Sequence, residues 1–289
     1  MTRIDSHQHF WRPSRGDYQW LRADEPALAP LVRDFLPEDL DPLLRASNAP
    51  KTVLVQAAGS MAETEFLLDL ASRHDFICGV VGWIDLSRSD AVPVLDAWAR
   101  HPKFKGVRPM LQDLPQVDWI ERAPDADAVR ALIRLGLRFD ALVKPEHLSS
   151  LLRFLRAWPE LPAVIDHAGK PQLAQGWQGD WATAWQRDMA ELAALPQVQC
   201  KFSGLLNEMS PLQRASTAAS VTALRPVWDS LLQWFGPARL MWGSDWPVLT
   251  LAGSYAGWVA AAGALIGELP AGDQASVWRG CAQRFYGIE

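Results

Sequence analysis

The 289-residue sequence predicts an α/β fold, a single-domain (β/α)8 TIM barrel running over residues 1–289. Three observations carry that expectation. Eight strand-like apolar segments recur along the chain, a stretch able to form a helix follows each, and polar residues gather at the segments' carboxyl ends. The segments lie at 3–10, 51–58, 76–86, 104–109, 137–143, 162–167, 198–203 and 239–244. Several are near-continuous apolar runs, as a parallel sheet covered on both faces requires. Between them, 62–72, 126–135, 147–157, 181–194 and 220–235 space their apolar residues with helical periodicity. A doubly wound open sheet has the same alternation, but no Gly-x-Gly-x-x-Gly turn supports its nucleotide-binding version. No internal repeat, low-complexity tract or interdomain linker interrupts the pattern.

Composition narrows the function. A net charge of -5 argues against nucleic-acid or anionic-membrane partners. No apolar run reaches the roughly 18 residues of a membrane span, and His7 and His9 leave no space for a signal peptide ahead of them. Cys78, Cys200 and Cys281 are odd in number and far apart, which fits buried thiols in a reducing compartment. The expected location is the cytoplasm and the expected partner a small molecule, with a homo-oligomer left open.

The first strand ends in His7-Gln8-His9. Residues i and i+2 of a strand share a face, so both imidazoles can grip one metal ion. Asp5 has the same parity. The long segment 11–48 follows, carrying Trp11, Tyr18, Trp20, several prolines and a short helix expected at 38–46. It is too long for an ordinary βα connection and in a barrel sits over the catalytic mouth, as a lid or an added packing layer. Strand four ends in Gly106-Val107-Arg108-Pro109. Strand six runs into Asp166-His167-Ala168-Gly169-Lys170-Pro171, strand seven carries Lys201 and Ser203, and strand eight reads into Gly243-Ser244-Asp245-Trp246-Pro247. In a parallel barrel all these ends open on one mouth. His7, His9 and His167 then supply three imidazoles suited to zinc or a related divalent ion. Asp245 adds a carboxylate, as a fourth ligand or as the base for an attacking water. Gly169 or Gly243 allows close backbone approach to a ligand.

Taken singly, these residues have plainer readings: a core histidine for His167, a helix cap for Asp245, a rim ion pair for Arg108 and Lys170. Their joint placement at strand ends favours a site. His74, His101 and His147 fall in helical or loop stretches and read as surface or packing residues. Most of the fifteen tryptophans must pack the core, with Trp246 first, then Trp11 and Trp83, as candidates for stacking on a sugar.

The segments His7-x-His9, Asp166-His167-x-Gly169-Lys170-Pro171 and Gly243-Ser244-Asp245-Trp246-Pro247 resemble the amidohydrolase superfamily, specifically its amidohydrolase-2 branch. The opening Ile4-Asp5-Ser6-His7-Gln8-His9-Phe10-Trp11 and Lys105-Gly106-Val107-Arg108 fit as well. Within the branch the chain is most similar to sugar lactonases of the L-fuconolactonase and L-rhamnonolactonase type and to pyrone-dicarboxylate lactonases. The resemblance implies a distorted barrel that opens a cyclic ester to a sugar acid. Asp245 is then general base and acid, with His7, His9 and His167 beside it, and Arg108 and Lys170 steady the tetrahedral charge. It also implies one divalent metal, zinc by its ligands, on His7, His9, His167 and Asp245, and leaves open whether turnover requires it. Two-metal members carry a bridging lysine and a further histidine. Lys144 lies just past a strand here without a partner histidine, so one metal or none is expected. The alternatives are a metal-dependent decarboxylase of small aromatic acids, and a non-catalytic barrel that binds a metal or a sugar acid.

Overall fold

The computed structural model describes residues 1–289. All eight expected strands form, each shorter than the apolar segment that predicts it: β1 Ile4–Gln8, β2 Lys51–Val55, β3 Ile77–Gly82, β4 Phe104–Val107, β5 Arg138–Ala141, β6 Ala163–Ile165, β7 Val198–Phe202 and β8 Leu240–Trp242. They pair in sequence order, every neighbour parallel, with helices in the connections. The β1–β8 seam closes through one parallel bridge, Gln8 to Trp246. There His9 N donates to Trp246 O at 2.7 Å and Asp245 N donates to His7 O at 2.7 Å. The barrel is therefore stitched shut at its carboxyl end, beside the histidines themselves.

Alternation along the strands divides two cores. Val53, Val55, Val81, Val164 and Met241 fill the lower barrel and meet Phe285, Tyr286 and Ile288 of the carboxyl-terminal segment. Leu54, Val80, Phe139, Ile165, Phe202 and Trp242 pack outward against the helices. Beyond the expected helices, the chain also forms Ala91–Trp98, Tyr255–Ile266 and a run ending at Cys281–Tyr286. No helix is long and apolar enough to cross a membrane.

Segment 11–48 forms the expected helix, at Pro37–Ala46, and folds onto the barrel as a packed layer. Trp11, Leu31 and Phe35 are buried in the core, and the backbones of Trp11 and Phe35 pair in an antiparallel bridge. Trp20 and Leu28 turn toward the barrel mouth.

Candidate active site

β6 ends at Ile165, not at His167. The chain then enters left-handed backbone at His167 (φ 54°), Ala168 (52°), Gly169 (66°) and Lys170 (51°). Left-handed backbone costs an ordinary residue about 1–2 kcal/mol. Three non-glycine residues among these four therefore persist only because the surroundings hold them there. Asp245 is the same, at φ 61°. Both turns aim their side chains at β1.

The resulting cluster is almost sealed from solvent: His7 is fully buried, and His9, His167, Arg108 and Asp245 are no more than 5% exposed. His7 Nε2 and His9 Nε2 stand 3.2 Å apart. Asp245 Oδ1 lies 3.3 Å from His9 Nε2 and 3.7 Å from the Nε2 atoms of His7 and His167. All three contacts fall on Oδ1, which leaves Oδ2 outside them. Two glycines make the packing feasible. A Cβ on Gly204 would lie 2.4 Å from His167 Nδ1, and one on Gly243 would lie 2.7 Å from His7 Cβ. Gly243 thus admits a histidine, where the sequence suggested a ligand, and Gly169 faces Leu148.

Outer partners orient the rings. His9 Nδ1 sits 2.8 Å from Val55 O, which can only accept, so the proton is on Nδ1 and the Nε2 lone pair faces the cluster. His167 Nδ1 meets Ser203 Oγ at 3.0 Å. His7 Nδ1 lies 3.3 Å from Asp166 Oδ1 and 3.1 Å from Lys201 Nζ. Burial lowers the pKa of all three imidazoles, His167 to about 4, so they are neutral at pH 7. Burial works against the Asp245 carboxylate, but His167, His9 and His7 take up protons as the pH falls, and that positive charge outweighs burial and holds the group well below the usual carboxylate range.

These donors fit a divalent metal. A lone pair on His9 facing a carboxylate 3.3 Å away is repulsive unless a cation stands between them. A tetrahedron with zinc–nitrogen bonds of about 2.0–2.1 Å has edges of about 3.3 Å, close to the separations among His7, His9 and Asp245. His167 Nε2 lies 3.7 Å from Asp245 Oδ1 and stands apart from the compact trio of His7, His9 and Asp245. Arg108 contributes positive charge, its Nη1 3.3 Å from both His7 Nε2 and Asp166 Oδ2.

Beneath His7 lies a charge network that the sequence did not reveal. Lys201, fully buried on β7, reaches Asp140 Oδ2 at 2.5 Å and Asp166 Oδ1 at 3.0 Å. Tyr286 Oη donates to the same Asp140 Oδ2 at 2.7 Å. A basic residue on an apolar strand was the available signal for Lys201. Asp140 has none, because its partners are remote in sequence. Asp5, by contrast, leaves the cluster despite its parity. A register irregularity between Asp5 and Gln8 turns it to Ser244 N (2.8 Å) and Tyr255 Oη (2.9 Å).

The cluster floors a cavity of about 360 Å³, at the small end of the roughly 300–1,000 Å³ of small-molecule sites. Arg108 and Lys170 line it, with Gln112, which accepts from Lys170 Nζ at 2.6 Å. Trp11 and Trp246 do not, contrary to expectation. Trp11 is fully buried, its indole N–H shared between Leu31 O and Arg33 O, and Trp246 packs on Phe10 and Phe35. Each closes the core behind the site instead of facing a ligand. The lining indole is Trp20, pinned through Nε1 to Ala57 O at 2.7 Å. Lys144 points to Gln112 O and His147 lies outside the cluster, while His7, Asp166 and His167 make a second, overlapping group of potential ligands around the shared His7. A larger cleft of about 450 Å³ shares Trp20, Met110 and Asp113 with this cavity. It carries no histidine, lysine or arginine, so the chemistry belongs to the smaller one.

The family model described as amidohydrolase matches residues 4–288. An L-fucono-1,5-lactonase of Burkholderia ambifaria is 45% identical over 261 residues, covering 89% of this chain and 86% of that protein. An L-fucono-1,5-lactonase of Burkholderia multivorans is 39% identical, covering 99% and 96%. An amidohydrolase crystal structure from Burkholderia multivorans with bound zinc superposes at a TM-score of 0.90, with 37% identity and complete coverage of both chains. The same protein with bound HEPES superposes at 0.91.

Proposed function

The chain belongs to the amidohydrolase family, and from that membership and its own site we propose that it hydrolyses a sugar-derived aldonolactone to the corresponding sugar acid. One observation carries the reading. Two neutral imidazoles, His9 and His167, and the Asp245 carboxylate floor a sugar-sized cavity with His7 directly behind them and two cationic side chains on its walls.

The lactone ring lies over the histidines with its carbonyl oxygen toward Arg108. His7, His9, His167 and Asp245 would hold a divalent metal, zinc by donor type. When bound, it supplies Lewis acidity toward the carbonyl oxygen. Asp245 Oδ2 takes the proton of the attacking water and returns it to the departing ring oxygen, base and then acid. Arg108 and Lys170 stabilise the oxyanion. Such donors are worth about 3 kcal/mol each where measured. Trp20 offers an indole to the sugar's C–H face, and segment 11–48, which presents it, serves as the wall of the mouth.

Asp245→Asn tests the assignment. Turnover should fall by about 10²–10⁴-fold, the usual contribution of a positioned acid–base group, while the sugar-acid product still binds by calorimetry. Turnover within twofold of wild type would remove Asp245 from the mechanism.

A further inference from the structure

The cleft beside the catalytic cavity has the chemistry of a second binding site. It is lined by Trp20, Trp83 and Trp119 with Asp85, Asp113 and Ser87, and Trp20, Met110 and Asp113 form the partition shared with the catalytic cavity. The two chambers differ in charge. The catalytic one sets Arg108 and Lys170 beside Asp245 and the histidines, the neighbour has Asp85 and no cationic side chain, and Asp113 lines both. Its third carboxylate, Asp17, faces Arg15 at 2.8 Å, so the acidic character rests on Asp85 and Asp113. Two of the indoles are held in place. Trp20 is fixed through Nε1 to Ala57 O, and Trp83 lies against Gly59, whose added Cβ would sit 3.4 Å from the ring. Asp85 is steadied by Ser87, whose N and Oγ donate to its Oδ1 at 3.0 and 2.6 Å.

We propose that this cleft is a glycosyl subsite, so that the substrate class extends to aldonolactones carrying a second, neutral sugar ring. The inference rests on the lactonase reading above. Indole faces match the C–H faces of a pyranose, and carboxylates accept its hydroxyl protons. A phosphorylated or carboxylated extension would meet Asp85 and Asp113 without a compensating cation, an unpaired like-charge encounter. The lactone end goes to the cationic chamber and the second ring crosses the partition to the aromatic one. This division also explains a mouth broader than a single sugar needs.

The test compares a single-ring aldonolactone with a panel of aldobionolactones that carry the second ring at each hydroxyl in turn. Trp83→Ala and Trp119→Ala are assayed alongside the wild type. At least one two-ring lactone should show a KM about tenfold below that of the single ring. Each tryptophan variant should erase that advantage while leaving single-ring kinetics within twofold. Hydrolysis of single-ring lactones alone would overturn the subsite, as would variants that lose equally on both substrates. Hydrolysis of neither class would overturn the lactonase reading and the subsite with it.

Discussion

Lys201 is the residue whose environment most constrains its replacement. Its ammonium is fully buried between Asp140 and Asp166, and Tyr286 shares Asp140 with it. Removing one partner of a buried ion pair leaves the other charged without solvent, at a cost of about 3–5 kcal/mol. Lys201→Met should therefore lower stability by about that amount in urea denaturation, and Lys201→Met with Asp140→Leu should recover much of it. A single variant as stable as wild type would contradict the ion-pair account. Individual site residues were legible to different degrees. His7, His9, His167 and Asp245 announce themselves because polar side chains on apolar strand ends need a reason. Trp11 and Trp246 misled because an aromatic near a strand end serves a core as well as a pocket, and only the packing of Phe35 against both decides.

The helix Met61–Arg73 shows how an element can carry a buried carboxyl toward the barrel mouth. Glu63, in its first turn, is fully buried and accepts from Ala57 N at 3.0 Å and Ala58 N at 2.8 Å. Burial raises its pKa to about 8, against roughly 4.3 in an unfolded chain. A raised carboxyl pKa means the folded state binds the proton more tightly. Its contribution to stability is complete below about pH 4.3 and declines as pH rises, until it is lost above 8. The Tm should accordingly fall between about pH 5 and 8, and Glu63→Gln should flatten that fall. An unchanged slope in the variant would show that another group titrates. At this scale the strands were legible in number and order but not in length. Apolar runs continue past the last ladder bond because the strand-end turns are buried as well. The left-handed run at His167–Lys170 was invisible, since only one of its four residues is glycine.

Across the whole molecule, the order of strands brings residues from β1, β6 and β8 to one point, and the seam between β1 and β8 closes at that point. Site and barrel closure thus depend on the same few residues, so ligand binding at the histidines should be felt globally. Saturating metal at a hundred times its Kd stabilises a fold by about 2.7 kcal/mol. Zinc added back to chelated protein should therefore raise Tm by about 5 °C, whereas an unmoved Tm would count against the metal. The Lys201 network and the second cleft emerge only at this scale, because their parts come from elements far apart in the chain. The most direct measurement is acid release from a panel of aldonolactones, followed with a pH indicator before and after chelation. Rapid release from a deoxy-sugar lactone is the predicted result. No release from any lactone, with carbon dioxide evolved from small aromatic acids instead, would contradict the account.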